Sequence, residues 1–563
     1  MSSFAQRSMN QEVLRLLKPK IVPTTSYPDQ RPGTSGLRKK TREFMQPNYV
    51  ENFVQSIFDS LRKDRQNGFE TETLVVGGDG RYYNRTAIQA IVRLAAGNRF
   101  KQVLVARGGI LSTPAMSAVI RRRRALGGLI LSASHNPGGL DADFGIKYNI
   151  SNGGPAPETV TESIFNQTRR IERYFTLDSP AIDLDREGTL TLAETQVSIF
   201  DPLADYTALM QEQFDFDLLR AHLQSGFRMV FDAMHGATGP YARHIFEELL
   251  GAPEGAVRNG SPLEDFGGEH PDPNLVYAAD LVRLMQRNDA PDLGAACDAD
   301  GDRNMILGRN FFVTPGDSIA LIAEHARGCI PGLHGNLIGV ARSLPTSTAV
   351  NRVAKALGVN SYETPTGWKY FGSLLDAGLC TLCGEESFGT GSVHLREKDG
   401  VWAVLCWLSL LAGAKKSVAE VVERHWRKFG RSYFQRHDYE GLEAKAAADM
   451  IDNLQSTLPS LIGQPLAGSV VSRAEDVTYI DPVEKSETQH AGIRIQLEDG
   501  SRIVCRLSGT GTSGATARLY LERYRKDDIA QNLDDALEPL ASAIRDLLGL
   551  KERFGSDKPT LVT

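Results

Sequence analysis

Cysteine is scarce. The 563 residues hold six, at positions 297, 329, 380, 383, 406 and 505. So few thiols, so scattered, exclude a disulfide framework and suit a reducing compartment. Cys380-Thr-Leu-Cys383 has no second pair to complete a metal site and reads as two buried thiols. A basic surplus is absent as well: the formal net charge of −6 excludes a general nucleic-acid binder. Long apolar runs are missing. The longest, residues 401–414, is too short to span a bilayer and reads as a buried core helix. No secretory apolar segment follows Met1, although residues 10–17 have the pattern of a short amphipathic helix. A cytoplasmic protein is expected. The dense cationic run from Arg121 to Arg124 closes a helix expected over residues 113–126, where a solvated end near the negative pole of the helix dipole accounts for it.

What is present is ordinary globular composition, 41% hydrophobic and 23% charged. The length calls for about three to five domains. Short apolar runs at 74–76, 103–106, 129–131, 229–231, 293–296, 337–340 and 379–382 each end in a polar turn and are followed by helical periodicity. That rhythm predicts α/β layers with parallel or mixed sheets. The last part alternates apolar and polar residues around Asp499-Gly500, a hairpin signal, and predicts an α+β domain. Boundaries are expected near 200, 313 and 430, dividing the chain into 1–200, 201–313, 314–430 and 431–563.

Four polar turns carry complementary chemistry, at the strand ends where open α/β sheets bind ligands. "SASHNPGG" exposes Ser134 at a sharp bend beside His135, with Lys147 nearby in sequence. It suits a hydroxyl nucleophile and equally an ordinary turn. No GxSxG elbow is present, which disfavours an α/β-hydrolase. "CDADGDR" alternates Asp298, Asp300 and Asp302. An EF-hand would need Gly and Glu where Arg303 and Arg309 stand, so a three-carboxylate Mg²⁺ site with positions open to a phosphate oxygen is the better reading. "CGEESFGTGS" offers Glu385 and Ser387 for polyol hydroxyls and equally suits an ordinary surface loop. "RLSGTGTSGATAR" satisfies GxGxxG but leads into a strand rather than a helix, which removes the dinucleotide reading. Its Arg506, Ser508, Thr510, Arg518 and free backbone amides make a phosphate cradle. Together the four fit phosphoryl transfer on a phosphorylated sugar.

These motifs, with "YPDQRPGTSGLRKK", "NGGPAP", "LEDFGGEHPDPN", "PTGWKYFG" and "REKDG", run nearly the whole chain. The sequence resembles the α-D-phosphohexomutases, and within them the eukaryotic-type phosphoglucomutase branch. The resemblance implies four domains around a central cleft, three similar mixed α/β domains and a smaller C-terminal α+β domain. It implies that Ser134 is carried as phosphoserine, and that glucose 1-phosphate and glucose 6-phosphate interconvert through glucose 1,6-bisphosphate, which also activates. Mg²⁺ would be held by Asp298, Asp300, Asp302 and a phosphoserine oxygen at Ser134. Arg38 and Lys147 match positions near the transferring phosphoryl group, and His135 would orient groups beside it. Arg303, Thr366, Gly367, Glu385, Ser387 and Lys398 look like substrate contacts. Arg436 joins the cradle of Arg506, Ser508, Gly509, Thr510 and Arg518. Lys147, Lys398 and His135 all remain candidates for the general base. Two departures are small: Ser132 stands where many relatives have Thr, and Ala299 where many have Gly.

The partners implied are small sugar phosphates, without nucleic acid or a membrane span, in a monomer or weak dimer. The rival readings are a parafusin-like scaffold with a secretory-vesicle role and a related phosphohexomutase acting on another sugar. Clustered carboxylates, for which an inert scaffold has no use, oppose the first. The "GEES" loop opposes the second.

Overall fold

The computed structural model describes residues 12–33, 35–62, 68–335, 337–508 and 514–563. Its first unit is built on a seven-stranded mixed sheet. Four neighbouring strands, Gly127–Leu131, Thr73–Gly78, Gln102–Ile110 and Thr195–Phe200, run parallel. Asp143–Ile150 and Leu37–Lys40 add antiparallel strands at one edge and Gly188–Leu192 at the other. The central runs "LVV", "VLVA" and "LIL" are apolar almost without alternation because helices cover both faces. Pairing of Gly78 with Leu131 ends two of these strands at one level, so their polar turns emerge side by side.

The second unit has a five-stranded sheet ordered Val257–Arg258, Met229–Asp232, Leu293–Ala296, Met305–Gly308, Phe311–Val313. The third has four strands ordered Asn360–Thr364, Gly339–Ser343, Leu382–Gly384, Thr390–Ser392. Both sheets are mixed. The last unit is a seven-stranded antiparallel sheet backed by the helices Ala444–Leu461 and Leu533–Leu548. The Asp499-Gly500 turn joins Ile493–Leu497 to Arg502–Ser508 as a hairpin.

One apolar core runs through the first three units, joining Val75 and Met116 to Phe231, Leu293, Ile319 and Leu382. The helix Gly400–Ala414 passes through it, with Trp402 and Trp407 fully buried. At about 1.5–3 kcal/mol for each large apolar side chain, that helix is a main contributor to cohesion. The last unit keeps a separate core around Leu454, Leu519, Leu540 and Ile544.

The expected helix over 113–126 is shorter. Ser112 caps it by accepting from the Ala115 amide, and Arg124, at φ +51°, ends it at Arg123. Nor is its arginine run merely solvated. Arg122 pairs with Glu212, Arg123 with Asp205, and Arg121 donates to the Asn152 carbonyl. The run ties the first unit to the second. A helical turn covers residues 12–15 of the amphipathic stretch. No single described helix is long and apolar enough to cross a membrane.

Candidate active site

Ser134 stands in the turn that leaves Gly127–Leu131. Its φ is +53°, a left-handed conformation uncommon for serine. Two contacts hold it there. The Ser134 amide donates to Ser132 Oγ at 2.7 Å. Arg81, completely buried, donates to the Ser134 carbonyl at 2.7 Å and to the Asp143 carbonyl at 2.8 Å while paired with Asp79 at 2.9 Å. Gly145 lies across from this turn so closely that a Cβ would stand 2.3 Å from the Ser132 carbonyl oxygen, so only glycine fits. Ser134 Oγ donates to Asp298 Oδ2 at 3.1 Å and lies 3.4 Å from His135 Nδ1. The His135 imidazole is held well below its ordinary pKa by burial and by Arg303 and Arg38.

Asp298, Asp300 and Asp302 follow the strand Leu293–Ala296 in a loop turned by Gly301 at φ +77°. All three are buried, with an oxygen from each within 4.8 Å of the others. Asp298 accepts from the Arg303 amide at 3.0 Å. Asp300 accepts from Thr113 Oγ1 at 2.7 Å and Lys147 Nζ at 2.6 Å, and the Thr113 amide donates to its carbonyl. Lys398 Nζ stands 3.3 Å from Asp302. Burial, Asp302 and Asp300 drive the Asp298 carboxyl well above the usual range. Lys147 and Thr113 hold Asp300 below it against burial. Asp300 Oδ1 has no hydrogen-bond partner. Three oxygen donors, with Asp300 Oδ1 and Asp302 Oδ1 both lacking a hydrogen-bond partner, and an Asp298 carboxyl raised by burial and by its two aspartate neighbours fit a hard divalent cation. Ala299 is buried between the aspartates, its carbonyl accepting from the Ala237 amide at 2.7 Å.

Glu385 accepts from the Gly367 amide at 3.1 Å and lies 3.8 Å from Lys398 Nζ and 3.5 Å from Ser387 Oγ. Lys398 thus bridges the aspartate loop and the Glu385 loop. Thr366 Oγ1 is buried without a partner. Arg303 is paired at 2.9 Å with Asp272, a residue the motifs did not single out. Glu397 is buried and accepts from Asn149 at 2.8 Å. Burial, opposed by Lys147 and reinforced by Asp302, lifts its carboxyl to about 7.

On the last sheet Arg506 lies directly opposite Arg518, and Arg518 opposite Asp438. Directly paired residues share a face, and two facing guanidinium groups repel unless an anion lies between them. Asp438, also unforeseen, stands 3.1 Å from Arg436 Nε and 3.6 Å from Arg518 Nε. It orients both without neutralising Arg506. Gly509 and Thr510 lie outside the described residues.

A cavity of about 400 Å³ collects these groups. Its wall includes His135, Lys147, Asp302, Arg303, Thr366, Gly367, Glu385, Ser387, Lys398, Arg436, Arg506, Ser508 and Arg518, so all four units contribute. Ser134, Asp298 and Asp300 lie buried behind that wall. Arg38 is on the edge strand Leu37–Lys40, with its Nε lacking a hydrogen-bond partner and with Asp300 and Asp302 acting on its charge. Cys380 and Cys383 are free, buried thiols pushed up by burial.

Residues 29–175, 204–310 and 315–429 match the models for phosphoglucomutase/phosphomannomutase alpha/beta/alpha domains I, II and III, and 431–560 match the phosphoglucomutase-1 C-terminal domain. A phosphoglucomutase of Rhizobium radiobacter is 53% identical, over 97% of this chain and all of that one. The chloroplastic phosphoglucomutase of Arabidopsis thaliana is 50% identical over 97% of this chain and 89% of its own, and a cytoplasmic one of Populus tremula 49% identical over 96% and 99%. The open-form crystal structure of the exocytosis-sensitive phosphoprotein parafusin, a phosphoglucomutase from Paramecium, superimposes with a TM-score of 0.90 at 46% identity, covering 97% of this chain and 99% of that one.

Proposed function

The chain belongs to the phosphoglucomutase/phosphomannomutase family, and from that premise we propose that Ser134 is the phosphoryl carrier of a phosphoglucomutase. Its activity is phosphoglucomutase activity, an isomerase reaction between glucose 1-phosphate and glucose 6-phosphate. The observation that carries the mechanism is the juxtaposition of Ser134 Oγ with the aspartate trio, 3.1 Å from Asp298.

In the first half-reaction the bond from Ser134 Oγ to phosphorus breaks and a bond from the sugar 6-hydroxyl oxygen forms. The sugar hydroxyl gives up a proton and Ser134 Oγ takes one. In the second half-reaction the bond from the C1 oxygen of glucose 1,6-bisphosphate to phosphorus breaks and a bond from Ser134 Oγ forms; Ser134 Oγ gives up its proton and the C1 oxygen takes one. His135 Nδ1, 3.4 Å from Ser134 Oγ and kept neutral by burial and by Arg303 and Arg38, is placed to accept the serine proton in that step. Lys147 and Lys398 are held protonated by Asp300 and by Asp302 and Glu385, against burial, and serve as charge rather than as bases. Asp298, Asp300, Asp302 and a phosphoserine oxygen would hold Mg²⁺, which when bound neutralises charge on the transferring group. Glu385 and Ser387 read the sugar hydroxyls, with Gly367 fixing Glu385. Arg506, Ser508, Arg518 and Arg436 hold the phosphate that is not moving. The bisphosphate turns over between half-reactions, so one cradle serves both ends. A cytoplasmic enzyme acting on small sugar phosphates is the setting this reading supports.

The test is intact mass together with label transfer. The active protein carries one added phosphate, and radioactive glucose 1,6-bisphosphate labels Ser134. Absence of label at that residue in protein that turns over glucose 1-phosphate overturns the assignment. A coupled assay with mannose 1-phosphate in place of glucose 1-phosphate separates the glucose enzyme from a related mutase.

A further inference from the structure

Two lysines from different units meet at the aspartate loop of a third. Lys147, on the strand Asp143–Ile150 of the first unit, is 2.6 Å from Asp300. Lys398, in the turn 396–399 of the third unit, is 3.3 Å from Asp302. Asn149 lies two residues beyond Lys147, on the same face of the strand. Glu397 immediately precedes Lys398. Asn149 Nδ2 donates to Glu397 Oε1 at 2.8 Å and to the Gly153 carbonyl at 2.9 Å. Asn149 is 1% exposed and Glu397 3% exposed, yet Glu397 also lines the cleft.

The rest of the turn is anchored independently. Arg396 pairs with Asp376 and takes its amide to Ser117 Oγ. Asp399 accepts from Tyr206 and the Trp402 amide and meets His394. The turn would therefore keep its fold without Glu397. What Glu397 adds is a direct link between the two segments that carry the lysines. A buried carboxyl costs free energy unless its partners repay it, so apolar packing would serve simple cohesion better.

We propose that Glu397 is a positioning residue for phosphoryl transfer: by accepting the Asn149 amide it holds the Lys147 strand against the Lys398 turn and sets the spacing of the two ammonium groups about the aspartate trio. This rests on the phosphoserine reading above. Reacting groups tolerate little displacement, a misplacement of about 1 Å costing on the order of a hundredfold in rate.

Kinetics on the full-length protein with glucose 1-phosphate, Mg²⁺ and activating bisphosphate test it. Glu397→Ala and Asn149→Ala should each lower kcat by about 10- to 100-fold with KM within about threefold of native. The double variant should be no slower than either single, because both remove one link. Glu397→Gln keeps an acceptor oxygen and should stay within about threefold of native kcat. Glu397→Asp draws the acceptor back by about one carbon–carbon bond, ~1.5 Å, and should lose about tenfold. It gives the same reading if the alanine variants melt far below native. Native kcat in Glu397→Asp, losses confined to KM, losses that multiply in the double variant, or a Glu397→Gln as slow as Glu397→Ala would each overturn the proposal. Native protein that fails to turn over glucose 1-phosphate would instead overturn the reading beneath it.

Discussion

Ser134 occupies a backbone conformation that serine alone would avoid, held there by the neighbouring Ser132 hydroxyl and by Arg81, 53 positions away. This separates what the sequence shows from what it hides. Ser134 and the three aspartates are legible because each motif is local: a hydroxyl or a set of carboxylates in a tight turn after an apolar run. Arg81, Asp272, Asp438 and Glu397 are not, since each acts through a partner brought near only by folding. "GGDGR" marks Arg81 as part of a polar turn and no more. Two outcomes are expected at this scale. Arg81→Met leaves Asp79 buried with no counter-charge and should destabilise the protein by about 3–5 kcal/mol, read by denaturant unfolding. Equal midpoints for variant and native would contradict that. Asp300→Ala removes the acceptor of both Lys147 and Thr113 and one oxygen of the proposed cation site. Its half-saturating Mg²⁺ should rise more than about tenfold, a loss of roughly 1.4 kcal/mol or more. An unchanged Mg²⁺ titration of turnover would remove Asp300 from that site.

At the scale of elements, the strand–turn–helix rhythm placed each functional turn at a strand end, and the hairpin at Asp499-Gly500 was readable from turn chemistry. The pairing of the arginine run from Arg121 to Arg124 is not legible in the same way, because helix periodicity gives a face but not the acids on another unit that meet it. The junction between the third and last units is of the same kind. Glu522, on Ala515–Arg525, accepts from Ser347, from the Thr348 amide, from Ser432 and from Arg502. Burial alone would raise its carboxyl, but Arg502, Arg352 and these hydrogen bonds hold it at about 2, below the ordinary 4.5. A carboxyl depressed in the folded state contributes stability above its unfolded pKa and loses it as pH falls through its folded one. Glu522 should therefore support the junction fully above about pH 4.5 and progressively less toward pH 2. Thermal melts across that window should fall more steeply for native protein than for Glu522→Gln. Parallel slopes would show that other carboxylates govern the acid limb.

For the molecule as a whole, one core runs through the first three units, the first adds a second around Phe58 and Ile91, and the last has its own. Composition and periodicity suggested four units, but they cannot report which apolar faces merge, because every amphipathic element looks alike until its partner is known. The consequence is a platform of three units joined through that core and carrying Ser134, the aspartates and Glu385, faced by a last unit that carries Arg506 and Arg518 and meets the third through Leu344, Phe434 and Tyr520. Arg506 opens onto the shared cavity from that unit. If the bisphosphate turns over in place, Arg506 meets the phosphate at C6 in one half of the cycle and that at C1 in the other. A hydrogen bond to a charged group contributes about 1.5–3 kcal/mol, so Arg506→Ala should raise KM for glucose 1-phosphate and for glucose 6-phosphate alike, by roughly 10- to 100-fold. The overall equilibrium constrains only the ratio of the two kcat/KM values, so the separate KM values carry independent information. Measured in both directions, two comparable rises fit one cradle serving both ends. A rise for one sugar phosphate alone would require a second phosphate site and would end the turnover-in-place account.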